Sequence, residues 1–236
     1  MSLFVLFQGT DNEESKKHSS RQCKNMPPGL SIKLPKLSEL SKISKPWSDA
    51  ELPIDILLLT VEDCEFLSCF YYLDKPFRSY CKETGYVYFG SMGSNDQQKL
   101  KIALIKCSKG SVVPGGSLTV LKNAVRVLRP KAVFSVGACI GLNSEKINLG
   151  DVVVSCKLTT SVYKIPVSKD IGNIITNVAD GWQVPVEDPD VLDVSVHCGD
   201  VLSQPQVVKF GWRHEDIIQH YPEAIAVETE GEGKDF

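Results

Sequence analysis

What the chain lacks narrows it first. No apolar run reaches the ~20 residues that a membrane-spanning helix requires; stretches such as Ile54–Leu59 and Lys131–Ile140 are far shorter. No secretory signal is visible, because Leu3–Phe7 is much too short for a signal-peptide core. There is no basic excess either. Lys and Arg total 26 against 29 Asp and Glu, and the net charge is −3. A chain of that balance offers no basic excess to hold a nucleic-acid backbone, so a nucleic-acid partner is not expected. The cysteines, Cys23, Cys64, Cys69, Cys81, Cys107, Cys139, Cys156 and Cys198, form no CxxC pair, and no histidine joins them at zinc spacing. These absences lead to the expectation of a cytoplasmic protein with reduced, buried thiols, no metal, no membrane and no nucleic-acid partner. Two phosphate-binding fingerprints are missing as well. The glycines after one strand are spaced Gly137-x-x-x-Gly141 rather than GxGxxG, and no GxxxxGK[ST] occurs.

What is present builds a core: 42% of the 236 residues are hydrophobic. Residues 1–50 differ from the rest. Asp11–Pro28 is polar and charged, and Ser31–Trp47 is rich in Lys, Ser and Pro without a sustained period. The expectation is a disordered leader or linker. Its first residues, LFVLFQGT, resemble a viral 3C-type protease cleavage site and are set outside the fold. The folded domain is expected over 51–236. Ile54–Thr60 is a continuous apolar run of strand length, as suits a strand buried on both faces. A helix is expected over Glu62–Leu73, then strands at Tyr86–Phe89 and Leu100–Cys107. Leu118, Leu121, Val125 and Leu128 follow at helical spacing, and Arg129-Pro130 ends that helix. Ala132–Val136 reads as a strand closed by Gly137, Val152–Ser155 as another, Gly172–Ala179 as helical and Val194–His197 as strand-like. Val207–His220 looks helical, and Ala224–Val227 is the last strand. Alternating strands and helices indicate an α/β fold with a mostly parallel central sheet. Ligands bind such sheets at the carboxyl ends of the strands. Glu62–Glu65, Gly137–Gly141, Gly199–Ser203 and Glu228–Glu230 all follow strands and are candidates for one crevice.

Each candidate has a plain structural alternative. In VFSVGACIGLN the glycines let a ligand approach the backbone closely, or simply make a tight turn. Glu62, Asp63 and Glu65 either stabilise a helix N-terminus or send one carboxylate, Glu65, into the crevice. Glu228 and Glu230 in AVETEG are an exposed tail or a pair of acceptors suited to the vicinal hydroxyls of a ribose. His197 and Cys198 are neighbours on a strand and point to opposite faces, so a Cys/His nucleophile is disfavoured and a sheet histidine expected.

Taken in order, ILLLTVEDCEF, RPKAVFSVGACIGLNSEKINLGDVVVS, VHCGDVLSQ and YPEAIAVETEGEG resemble the nucleoside phosphorylase/nucleosidase superfamily. The branch they look most like is the 5′-methylthioadenosine/S-adenosylhomocysteine nucleosidase-like proteins. The resemblance covers about Ile54 to Gly233 and implies a three-layer α/β/α sandwich around a mixed sheet, assembled as a homo-oligomer. It implies a small-molecule nucleoside as substrate, cleavage of an N-glycosidic bond, and no cofactor, with phosphate as co-substrate if the chain is a phosphorylase. Glu65 matches the glutamate that positions the attacking water. Gly137, Ala138 and Cys139 match the loop beside base and ribose. Leu202 falls where an aromatic residue often stacks on the base. Glu228, Thr229 and Glu230 match a Glu-Met-Glu segment whose second glutamate holds the ribose hydroxyls, with Thr229 in place of the methionine.

Two departures bear on the reaction. Phosphorylases of this family place an arginine two residues before the turn glycine and Ser or Thr just after it; here those positions are Ser135 and Ala138. Neither replaces the arginine's charge, so hydrolysis is favoured over phosphorolysis. The resemblance also implies a helix, a strand and a Ser-Asp loop after Glu-Gly, whose aspartate protonates the leaving base. Nothing up to Phe236 matches them, so the expectation is a C-terminally truncated domain with impaired cleavage. The alternative is a non-catalytic nucleoside-binding or regulatory module.

Overall fold

The structure is a computed structural model that describes residues 2–8, 29–40, 43–93, 99–110, 113–142, 147–148, 150–159, 164–177, 180, 183–188, 194–203 and 214–228. In chain order the elements are β1 (Ser2–Gln8), β2 (Ile56–Thr60), α1 (Asp63–Tyr71), β3 (Asp74–Cys81), β4 (Gly85–Met92), β5 (Leu100–Lys106) and α2 (Ser117–Leu128). They continue with β6 (Ala132–Gly141), β7 (Val152–Thr159), β8 (Lys164–Pro166), α3 (Lys169–Thr176), β9 (Val196–Ser203), α4 (His214–His220) and β10 (Ala224–Glu228).

The strands form one mixed sheet in the order β1-β7-β9-β10-β6-β2-β5-β4-β3, with β8 attached to β7 and a further pairing of β1 with β6. That last pairing closes β1, β7, β9, β10 and β6 into a ring. The open wing is organised by β2, whose apolar run is buried on both faces, as the sequence indicates. Leu57 and Leu59 pack with Ile105, Val120, Ala124 and Leu128 under α2. Leu58 packs with Phe66, Phe70 and Leu104 under α1. Alternation along β2 thus feeds two helical layers from one strand, and the expected α/β/α sandwich results. Around the ring, α3 covers Val152 and Val154, and α4 covers Leu142, Leu202 and Val227. The opposite face of the ring strands, with Cys139, Val153, Val201 and Ala226, makes a separate small cluster.

Several sequence expectations shift. Gly137–Gly141, expected as a turn, is strand: β6 runs ten residues to Gly141. Pairing overrides the glycines' freedom here, since β6 is held by β1 up to Cys139 and by β10 from Cys139 to Gly141. For the same reason β9 does not stop at His197 but continues through Gly199 to Ser203 between β7 and β10. Gly199 is required there, because a Cβ would run into Ile225, beside a register shift in β10. Val207–His220 is helical only from His214 among the described residues. Within residues 1–50, expected as a disordered leader, the described stretches contribute structure. Ser2–Gln8 is a sheet strand, Trp47 packs edge-on against Phe89, and Ala50 is in the core. These residues dock through single side chains or strand pairing, which leaves no helical or alternating period to read.

Candidate functional site

The site begins with an edge that two strands share. Along β6, residues Ala132–Ser135 pair with β2, which is parallel, and Cys139–Gly141 pair with β10, which is antiparallel. β1 pairs with Val133–Cys139 and overlaps both, so β2 and β10 must lie on the same edge, opposite β1. Their carboxyl ends therefore point toward each other across residues 136–138. A sheet leaves a crevice where its strand directions diverge, and ligands favour such switch points.

Glu65 fills that gap. The chain leaves β2 at Thr60 and starts α1 at Asp63, with Glu62 as the helix cap. The Glu65 Oε2 accepts from the N–H groups of Val61 and Glu62, both at 2.9 Å. Its Oε1 accepts from the Ala138 N–H at 3.2 Å. The bond from the Glu62 N–H is the return half of a capping box between Glu62 and Glu65; the bond from Ala138 ties the helix to β6. The acidic cluster is thereby divided. Glu65 is 7% exposed, whereas Asp63 pairs with Lys106 and Glu62 with Lys109 at the surface. Both alternatives for this cluster are realised: Glu65 caps the helix and also faces the gap. A carboxylate oxygen can accept about two bonds, so Oε1 has capacity for a water or hydroxyl besides Ala138. Burial pushes the neighbouring Cys69 thiol up to about 12, with the Glu65 charge adding to it.

Glu228 ends β10 at the other side of the gap. It is 5% exposed, lies opposite Cys139 on β6 and Ser203 on β9, and accepts from the Ser203 hydroxyl. Burial raises the Cys139 thiol to about 12, and the Glu228 charge acts in the same direction. Cys139 is therefore a protonated wall residue rather than a nucleophile.

The four strand-end groups expected to converge do so in part. Glu65, Ala138, Cys139, Ser203 and Glu228 come together. Gly137 is buried within β6. Leu202 is not presented to the gap: it is fully buried among Leu142, Ile217 and Val227, because alternation on β9 sends it to the face opposite Ser203. Thr229 and Glu230 lie outside the described residues. His197 and Cys198 diverge as expected. The His197 Nε2 is 2.8 Å from the Asp151 Oδ2, and the Cys198 thiol donates to the Ile175 carbonyl. Within the expected Gly199–Ser203 group it is Ser203, not Leu202, that meets Glu228, and it does so as the last residue of β9 rather than from a loop after it.

Another buried acid lies at the other end of the ring strands. Asp151 precedes β7, is fully buried, and accepts from the N–H groups of Asn148 at 2.7 Å and Ser195 at 2.8 Å as well as meeting His197. Burial alone would raise its pKa. The two backbone N–H groups and the imidazole outweigh that and hold it below the usual aspartate range. Among the described residues no group of three or more His, Cys, Asp or Glu could hold a metal ion, and no helix is long and apolar enough to cross a membrane.

No model of a known protein family matches the sequence. Among curated proteins, the chain is similar to a death domain-containing ATP nucleosidase of Amphimedon queenslandica, 24% identical over 175 residues. The match takes in 62% of this chain and 32% of that protein, so the chain spans about a third of the relative's length. Among solved structures it is similar to the MTA/SAH nucleosidase of Streptococcus pneumoniae in complex with 8-aminoadenine, with a TM-score of 0.56 at 17% identity, covering 74% of this chain and 75% of that one. It is also similar to the purine nucleoside phosphorylase of Toxoplasma gondii in complex with immucillin-H, with a TM-score of 0.51 at 13% identity, covering 76% and 70%. The fold is the one these nucleosidase and phosphorylase structures share, in keeping with the motifs.

Proposed function

We propose that this chain binds a purine nucleoside or nucleotide in the gap between β2 and β10 and cleaves its N-glycosidic bond, with water as the nucleophile. The observation that carries the reading is the Glu65 carboxylate, fixed by three backbone N–H groups at a sheet switch point with a second buried carboxylate, Glu228, on the next residue pair of β6. Breaking a glycosidic bond develops positive charge on the sugar. Two oriented carboxylates stabilise that charge without reorganising. Glu65 orients and deprotonates the attacking water as general base, and the departing base takes its proton from solvent water. Glu228 lines the ribose pocket together with the backbone of Gly137, Ala138 and Cys139, while Glu230, following Thr229, takes the ribose hydroxyls. The chemistry uses carboxylates and water and needs no metal. Ser135 and Ala138 stand where phosphorylases of the resemblance carry phosphate-binding side chains, which supports hydrolysis. The resemblance also supports a homo-oligomer, and the sequence supports a cytoplasmic location.

The test is base release, followed by chromatography, from adenosine, 5′-methylthioadenosine, S-adenosylhomocysteine and ATP, with and without inorganic phosphate. ATP belongs in the panel because the curated relative is named an ATP nucleosidase. Phosphate-independent release that disappears in Glu65→Gln is the expected result. Release only with phosphate overturns hydrolysis. Saturable nucleoside binding in calorimetry with no release under any condition replaces catalysis by a binding module.

A further inference from the structure

The carboxyl rim of the sheet continues from β2 across the open wing, and one row of side chains can be followed along it. Thr60 pairs with Lys106. The antiparallel register of β4 on β5, with Tyr88 opposite Leu104, puts Tyr86 opposite Lys106. Tyr86 in turn pairs with Tyr80 on β3. Directly paired residues share a sheet face. Leu58, Leu104 and Tyr88 pack with α1, and alternation carries that face two residues on to Thr60, Lys106 and Tyr86. The row therefore runs along the α1 face, on the same rim as Glu65.

The helix roofs only part of this face. Tyr88 is closed in by Phe66 and Phe70, with ring centroids 5.1 and 5.7 Å away. One step nearer the rim, Tyr86 and Tyr80 are 53% and 59% exposed. Their rings meet edge to face at 5.3 Å, and both keep open surface on which a flat ligand can stack. Arg78 adds the charge. Its place is opposite Tyr88, yet its guanidinium carbon lies 5.0 Å from the centroid of the Tyr86 ring, so the side chain reaches along the row toward the rim. Lys106 and Lys109 are matched by Asp63 and Glu62. Arg78 has no carboxylate partner among the described residues, and its Nε is buried without a hydrogen-bond partner. A charge left in that state is costly. An anion drawn to it would lie against the exposed tyrosines, and arginine with aromatic rings is a combination that suits phosphate and base together.

Distance selects the ligand. From β6, which carries Ala138, to β4 is three strand spacings, about 14 Å. That is farther than a nucleoside monophosphate reaches from a glycosidic bond held at Glu65, and it suits a second ring joined through phosphates. Resting on the proposed function, we propose that Arg78, Tyr80 and Tyr86 form an outer subsite of the crevice that takes the second ring and the linking phosphates of a dinucleotide. The substrate class is then an extended nucleotide rather than a simple nucleoside.

The experiment uses the full chain and calorimetric titration with adenosine, ATP and diadenosine triphosphate, in wild type, Tyr86→Ala and Arg78→Gln. Diadenosine triphosphate carries less negative charge than ATP, so tighter binding reports its second nucleoside. Stacking of one base on an aromatic side chain should make it bind at least about fivefold tighter than ATP. Tyr86→Ala should erase that preference and leave the affinity for adenosine unchanged. Arg78→Gln should weaken diadenosine triphosphate and not adenosine. In wild type with labelled tyrosines, the ring-proton shifts of Tyr80 and Tyr86 should move with diadenosine triphosphate and stay in place with adenosine. Should a variant fail to fold, the wild-type shifts decide. Equal affinity for ATP and diadenosine triphosphate, or tyrosine shifts that do not move, overturns the subsite. Base release, assayed separately, keeps the two readings apart. Moving tyrosine shifts with no release from any compound leave the subsite standing and remove the nucleosidase reading. Release from adenosine with no preference for the dinucleotide does the reverse.

Discussion

Glu65 and Asp151 are both buried acids held by backbone N–H groups, yet they do opposite things. Asp151 sits at the amino ends of β7 and β9, joins the loop before β7 to the start of β9, and has both oxygens engaged, one of them by His197. It is a closed knot. Glu65 follows the carboxyl end of β2, where the neighbouring edge of β6 changes partner, and among the described residues its Oε1 accepts from the Ala138 N–H alone. Burial and hydrogen bonding do not by themselves mark a reactive carboxylate. In the proposed function the difference lies in the position relative to strand ends and the acceptor capacity left over.

The largest expected effect breaks that comparison directly. Glu65→Gln keeps the shape but removes the base, and base release should fall by about 10²–10⁴-fold. Asp151→Asn should leave release per folded molecule unchanged. Equal losses in both variants would mean that Glu65 is another structural knot.

Leu202→Ala tests which face of β9 belongs to the site. As a fully buried residue under α4, its truncation should cost about 2–5 kcal/mol in urea unfolding with KM unchanged. A raised KM with intact stability would restore Leu202 to the base-binding role that the resemblance implies.

Asp151→Asn itself should cost about 1–3 kcal/mol at neutral pH, the usual penalty for disturbing a buried polar partner. The sign with pH follows from the depressed pKa of the native aspartate. Its contribution is fully present above the unfolded value of about 3.9 and is lost as pH falls through the lower native value. The stability gap between wild type and Asp151→Asn, measured by chemical denaturation, should therefore close below about pH 4. A gap that persists there would assign the effect to packing rather than charge.

These contrasts also explain what could be read from sequence. β2, α1, α2, β5 and β10 were legible because each carries a period set by the layer it packs against. β6 and β9 were cut short at Gly137 and His197, since glycine signals a turn only when no neighbouring strand claims its backbone. That error placed Ser203 in a loop after β9 and so left its bond to Glu228 unforeseen. Glu65 was legible as a candidate from its place after a buried strand, but its division from Glu62 and Asp63 was not. Which of three acids turns inward depends on where the Ala138 N–H lies, 73 residues along the chain. β1 was missed for a different reason: LFVLFQGT was set outside the fold because it resembles a protease cleavage site, and its partners are remote in sequence.

The smallest expected effect concerns the two acids that turn outward. Asp63 and Glu62 pair with Lys106 and Lys109, and all four side chains are more than a third exposed. Exposed pairs of this kind contribute about 0–1 kcal/mol. Lys106→Ala should accordingly move the denaturation midpoint little, and less at 0.5 M salt, where the pair is already screened. Lys106 nevertheless ends β5 opposite Thr60 of β2 and Lys109 follows it, and an anionic group on the sugar's 5′ position would meet them if the substrate points that way. The variant thus separates two substrate classes at little cost in stability. If KM for ATP rises while KM for 5′-methylthioadenosine does not, the lysines belong to the crevice and the substrate is a nucleotide. If neither moves, the surface pairs are only surface pairs, and the boundary between the inward and outward acids lies at Glu65.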